Sequence, residues 1–166
     1  MAIDRSVNAP ATSPDLITKT VYYAGSDAVL EGEPFVYTTG AGTATAYSGL
    51  RHNQVDRPKA SGDVFAGVAT RSYPAADAGN GRLIEIACPG SRGVRIRVGT
   101  SASQGAVLQF GYKASVGSKK FLAAGSPHAL TALQIGDAIV RQTVSAAGLA
   151  QADLAIAPLA AGVADS

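Results

Sequence analysis

The sequence predicts an all-β fold, a compact β-barrel or sandwich of about seven to nine short strands, and three observations carry this. From residue 16 onward, short runs rich in β-branched and aromatic residues alternate with glycine and proline. The 19 glycines and 8 prolines among 166 residues supply the turns that such a fold needs. At 16% charged residues the chain is charge-poor against the roughly 25% of an ordinary soluble domain, which suits close packing of small side chains.

The strands are read in order. Leu16 to Ala24 (LITKTVYYA) is the first and Pro34 to Thr38 (PFVYT) the second. Val64 to Thr70 (VFAGVAT) is the third, and its Gly67 marks a bulge or a close backbone approach. Leu83 to Ala87 (LIEIA) and Gly93 to Val98 (GVRIRV) follow, joined by Pro89-Gly90-Ser91-Arg92, which reads as a hairpin turn. In the second of these, Val94, Ile96 and Val98 alternate with Arg95 and Arg97, so apolar groups face one way and guanidinium groups the other. Val107 to Tyr112 and Ala138 to Val144 complete the set.

Gly32-Glu33, Gly62-Asp63, Gly105-Ala106 and Gly136-Asp137 each precede an apolar run. Their spacings of 30, 43 and 31 residues are unequal, so glycine at strand entries explains them without a strict repeat.

Three regions are expected. Residues 1–15 form an extended arm, punctuated by Asn8, Pro10, Ser13 and Pro14. Residues 16–144 form the β-rich core as one domain. Residues 145–166 form an Ala-rich segment with room for a short helix at about 150–157, since alanine is the best helix former. No apolar run is long enough for a membrane-spanning helix, and Met1 to Pro14 lacks the apolar stretch of a secretory signal.

A net charge of +2 argues against a dedicated nucleic-acid binder. The single cysteine, Cys88, excludes an internal disulfide and a cysteine-rich zinc site, and reads as a small packed residue rather than a reactive thiol. His52 and His128 are not spaced as a helical metal pair. Ser91, in Gly90-Ser91-Arg92-Gly93, lacks the G-x-S-x-G spacing of a nucleophile elbow. Gly40-Ala41-Gly42-Thr43 reads as a hairpin tip rather than a phosphate loop. Asp27, Glu31 and Glu33 lack the register of a calcium loop and are expected to be solvated turn acids. No catalytic, cofactor or metal site is therefore expected.

Charge placement says more. From Ile86 to Gly136 there is no acid, while Arg92, Arg95, Arg97, Lys113, Lys119 and Lys120 are all present. A shared face of these strands would be basic and could orient a negatively charged partner.

Five stretches together resemble the small head decoration (capsid cement) proteins of tailed phages. They are Thr20–Asp27 (TVYYAGSD), Leu30–Pro34 (LEGEP), Phe65–Ala69 (FAGVA), Leu83–Ile86 (LIEI) and Gly93–Gly99 (GVRIRVG). The resemblance covers roughly residues 16–115, with 134–144 a weaker continuation. It implies a compact β-rich trimer, made in the host cytoplasm, that binds the outer surface of the capsid between major capsid protein subunits. It implies no enzymatic activity and no cofactor, nucleic acid or membrane partner. In similar proteins the N-terminal arm contacts the shell, so Arg5, Asn8 and Pro10 are contact candidates, together with Arg92, Arg95 and Arg97 of the basic strand. The alternatives are a head-fibre or tail adaptor, an extracellular β-module and a hydrolase. Absence of Trp and scattering of the six tyrosines weigh against the sugar-stacking surface that a carbohydrate-binding module needs.

Overall fold

A computed structural model describes residues 15–37, 53–59, 63–77, 81–111, 119–123 and 138–155. These hold ten strands and no α-helix: β1 (Thr18–Tyr23), β2 (Pro34–Tyr37), β3 (Gln54–Asp56), β4 (Phe65–Ala69), β5 (Arg82–Ala87), β6 (Val94–Val98), β7 (Val107–Phe110), β8 (Phe121–Ala123), β9 (Ala138–Val140) and β10 (Gly148–Leu154). The all-β reading holds, with more strands than expected. Strands β3 and β8 are three residues long, too short to show a period.

The strands close into two small barrels, β1-β3-β2-β4-β5 and β10-β6-β8-β7-β9. Strand for strand the two have the same topology. β1 runs parallel to β3 and antiparallel to β5, as β6 runs parallel to β8 and antiparallel to β10. β2 lies between β3 and β4, as β7 lies between β8 and β9. The connecting turns repeat too. Gly32 N–H donates to the Ala69 carbonyl at 2.9 Å, and Gly105 N–H to that of Val140 at 2.7 Å. The isolated bridges Val29–Tyr73 and Ala102–Val144 also correspond. The chain is thus an internal duplication. Gly105 follows Gly32 by 73 positions, so these two glycine turns are the same turn occurring once per barrel, while Gly62 and Gly136 lie outside the described residues.

Two local expectations are corrected. Residues 89–92 form a turn, with Ser91 N–H on the Cys88 carbonyl at 3.1 Å, but no hairpin. Strand β5 pairs with β1 and β4, while β6 pairs with β10 and β8, so the turn carries the chain from one barrel to the other. The expected helix near 150–157 gives way to β10, because eight antiparallel partners on β6 and β9 override alanine's local preference. Residues Ala150, Ala152 and Leu154 alternate inward, so small side chains fill the second barrel where Ile84 and Ile86 stand in the first.

The first barrel encloses Val21, Tyr23, Phe35, Val55, Ile84 and Ile86. The second encloses Ile96, Phe110, Phe121 and the β10 alanines, and its cluster also takes in Val36, Phe65, Val68 and Ala87 from the outer face of the first barrel. This explains why every residue of β4 is buried. One of its faces lines the first barrel and the other meets the second, so it reads as a continuous apolar run. Gly67, at φ 152°, lies where the β2–β4 register shifts, and a Cβ there would come within 2.3 Å of the Ala87 carbonyl oxygen. Both readings of that glycine hold.

Candidate interaction surface

The seam between the barrels is built from aromatic, backbone and ionic contacts. The Phe65 ring stacks on Phe110 (5.5 Å between centroids) and meets Phe121 edge-on at 6.2 Å. The turn before β2 abuts β6, where Arg97 N–H donates to the Gly32 carbonyl at 2.9 Å. The fit is tight, since a Cβ on Gly32 would stand 2.7 Å from Arg97 N and 2.8 Å from Leu149 Cδ2. Ser91 is fully buried. Its hydroxyl accepts from Ile17 N–H and donates to the Ile17 carbonyl, both at 3.0 Å, while its carbonyl accepts from Leu154 N–H at 2.8 Å. The group screened as a nucleophile is a staple between β1 and β10.

Two ion pairs cross the seam. Arg95 pairs with Glu31 at 3.3 Å and Lys119 with Asp27 at 3.5 Å. Both pairs join a base of the second barrel to an acid of the first. Part of the basic surface read from the sequence is therefore matched by the chain's own acids. Arg92 and Arg95 are exposed and Arg97 is half-buried, with its Nε buried and unbonded. Arg5, Asn8 and Pro10 lie outside the described residues, as do Lys113, both histidines and the 40–43 glycine turn.

A polar cluster inside the first barrel escapes sequence reading. Arg57 Nε and Nη2 donate to Glu33 Oε2 at 3.3 and 3.0 Å. Its Nη2 also reaches the Ala28 carbonyl at 2.7 Å, and its Nη1 donates to the Tyr23 hydroxyl at 2.6 Å and to the Asp27 carboxylate. Tyr23 in turn donates to Asp27 Oδ1 at 2.7 Å. Glu33 is wholly buried, so the expectation of solvated turn acids fails there. Burial, then the bond to Asp27, pushes the Tyr23 phenol up. Partial burial raises Asp27, but the Tyr23 bond and the Arg57 charge outweigh it and hold the carboxyl down at about 2. The second barrel places Ala106 and Ala123 where the first has Glu33 and Arg57, so this cluster is particular to the first. No sequence signal distinguishes Arg57, because its partners are 24 to 34 residues away.

A cleft of about 160 Å³ opens on the seam beside Leu16, Glu31 and Arg95. Among the described residues no group of three or more His, Cys, Asp or Glu is placed to hold a metal. Burial pushes the Cys88 thiol up, away from the reactive thiolate.

The fold thus defined is that of a tandem pair of five-stranded barrels. It is similar to the crystal structure of the head fiber gp8.5 N base in bacteriophage phi29, with a TM-score of 0.51 at 10% sequence identity, covering 86% of this chain and 98% of that one. No family model matches the sequence, and no curated protein matches it.

Proposed function

We propose that the protein is a structural component of a bacteriophage virion, carried on the outer surface of the head. In this reading it is a decoration protein that binds the major capsid protein as a homotrimer and stabilises the shell, with no reaction to perform. The observation that carries the reading is the likeness to a head-fibre base over nearly that whole chain. The seam is consistent with it, because the Arg95–Glu31 and Lys119–Asp27 pairs tie the two barrels together. A clamp that prefers the assembled lattice to free subunits stabilises it by mass action, and three arms per trimer add avidity.

The same likeness favours a second reading, in which the two barrels are a base that carries a fibre. Co-sedimentation of purified protein with expanded heads tests the shared claim, and absence from the head pellet overturns it. Electron microscopy of decorated heads separates the two readings. Even coverage supports the cement role, and isolated projections support the base. Removal of residues 1–15 is expected to lower head affinity, and unchanged affinity rules out the arm as anchor.

A further inference from the structure

The first and the last described strands are both tied to one residue of the turn that links the barrels. Ser91 takes Ile17 N–H on its hydroxyl at 3.0 Å and Leu154 N–H on its carbonyl at 2.8 Å. Its neighbours close the same junction. Arg92 N–H donates to the Asp15 carbonyl at 2.8 Å, Cys88 N–H to that of Ile17 at 2.7 Å and Gly90 N–H to that of Leu154 at 2.9 Å. Residues 1–14 join the body at Asp15 and residues 156–166 join it at Ala155. Both segments are therefore rooted side by side on the 88–92 turn.

Chain ends that lie close together are common, but this pole has more. Leu16 and Ile17 are 38% and 50% exposed, the one consecutive pair among the exposed large hydrophobics described. Arg92 is exposed beside them. The cleft on the seam opens at the same place, with Leu16 and Val94 as apolar walls and Thr70, Glu31 and Arg95 as polar ones. Arg95 keeps 56% of its side chain exposed despite its pair with Glu31. An apolar patch edged by arginine matches the composition of protein–protein contacts.

We infer that this pole is the face that docks on the outer surface of the assembled shell, which offers an apolar side chain to the Leu16 cleft and a carboxylate to Arg92. The inference rests on the head-binding reading above and adds where the contact lies. Fully extended, segments of 14 and 11 residues reach at most about 50 and 40 Å. That exceeds the radius of gyration of a folded chain of this size, about 15 Å, so both can reach beyond the body to a wide partner surface. Roots on one face let the body and both segments engage that surface together, with the avidity of linked contacts.

The test is co-sedimentation of the full chain with expanded heads, with circular dichroism to verify folding and sedimentation velocity of the protein alone. Leu16→Asp and Arg92→Glu are each expected to weaken head binding by at least about tenfold, the scale of one well-packed contact at an interface centre. Leu83→Asp is the control and is expected to bind as the wild type does. Leu83 is 66% exposed, but it stands five residues before Cys88, roughly 16 Å along an extended chain. Removal of residues 156–166 is expected to weaken binding, and unchanged binding overturns the two-tailed contact. A wild type absent from the head pellet overturns the head-binding reading itself. A wild type that binds, with Leu16→Asp and Arg92→Glu binding equally well, overturns this inference alone, as does loss of binding in Leu83→Asp. Self-association in solution that Leu16→Asp abolishes makes the occupant a second copy and overturns it too.

Discussion

Arg57 directs two guanidinium nitrogens onto a single oxygen of Glu33, Oε2, and leaves the buried Oε1 without a partner. Arg57 also reaches Tyr23 and Asp27, but the wholly buried Glu33 depends on Arg57 to offset its desolvation. Arg57→Met is therefore expected to lower stability by about 3–5 kcal/mol, because Glu33 is left buried and uncompensated. Adding Glu33→Leu to Arg57→Met is expected to restore much of that loss, since a packed apolar pair needs no counter-charge. Urea unfolding of the two variants checks this. A double variant no more stable than the single one would show that the pair is needed for packing as well as charge balance.

Asp27 gives the same cluster a pH signature. Its carboxyl is held down to about 2 in the folded chain, so its contribution is present above the ordinary aspartate range and is lost as pH falls toward that value. Its carboxylate is 54% exposed, so solvent screening reduces the effect to about 1 kcal/mol. The urea midpoint of the wild type is expected to drop between pH 4 and 2 more steeply than that of Asp27→Asn. Parallel pH profiles would remove Asp27 from the account.

Gly32 and Gly105 make a matched pair for measurement. Both sit at positive φ, 84° and 81°, so alanine at either is expected to cost about 1–2 kcal/mol in backbone strain. At Gly32 the added carbon would also stand 2.7 Å from a backbone nitrogen of the other barrel. Gly32→Ala is expected to be the more destabilising by a further 1–3 kcal/mol or so, the cost of overpacking. Thermal or urea unfolding of the two variants gives the difference directly, and equal losses would mean the seam yields easily at that point.

Much of the fold was legible, for identifiable reasons. Strands with β-branched residues and clear punctuation, such as Leu83–Ala87 and Val94–Val98, are found where periodicity puts them. Strand β10 was not, because Gly148–Leu154 is rich in alanine and its β character comes from pairing with β6 and β9. The duplication was half visible. The glycine turns were seen, but comparing each with its neighbour hid the longer offset from Gly32 to Gly105. At the seam, Arg95 and Arg97 were marked by charge, yet Glu31 as the partner of Arg95 is 64 positions away and only the closed barrels bring it there. Arg57 carries no local pattern, and its importance arises from what surrounds it.

The outer face of β4 has a consequence for synthesis. Its Phe65 and Val68 leave the ribosome well before β10, the last strand of the barrel that covers them. At translation rates of about 5–20 residues per second, the interval from Ala69 to Leu154 lasts roughly 4–17 seconds. Through that time the nascent N-terminal half carries an uncovered greasy patch, so a chaperone that shields it until translation ends would raise the yield of folded chains.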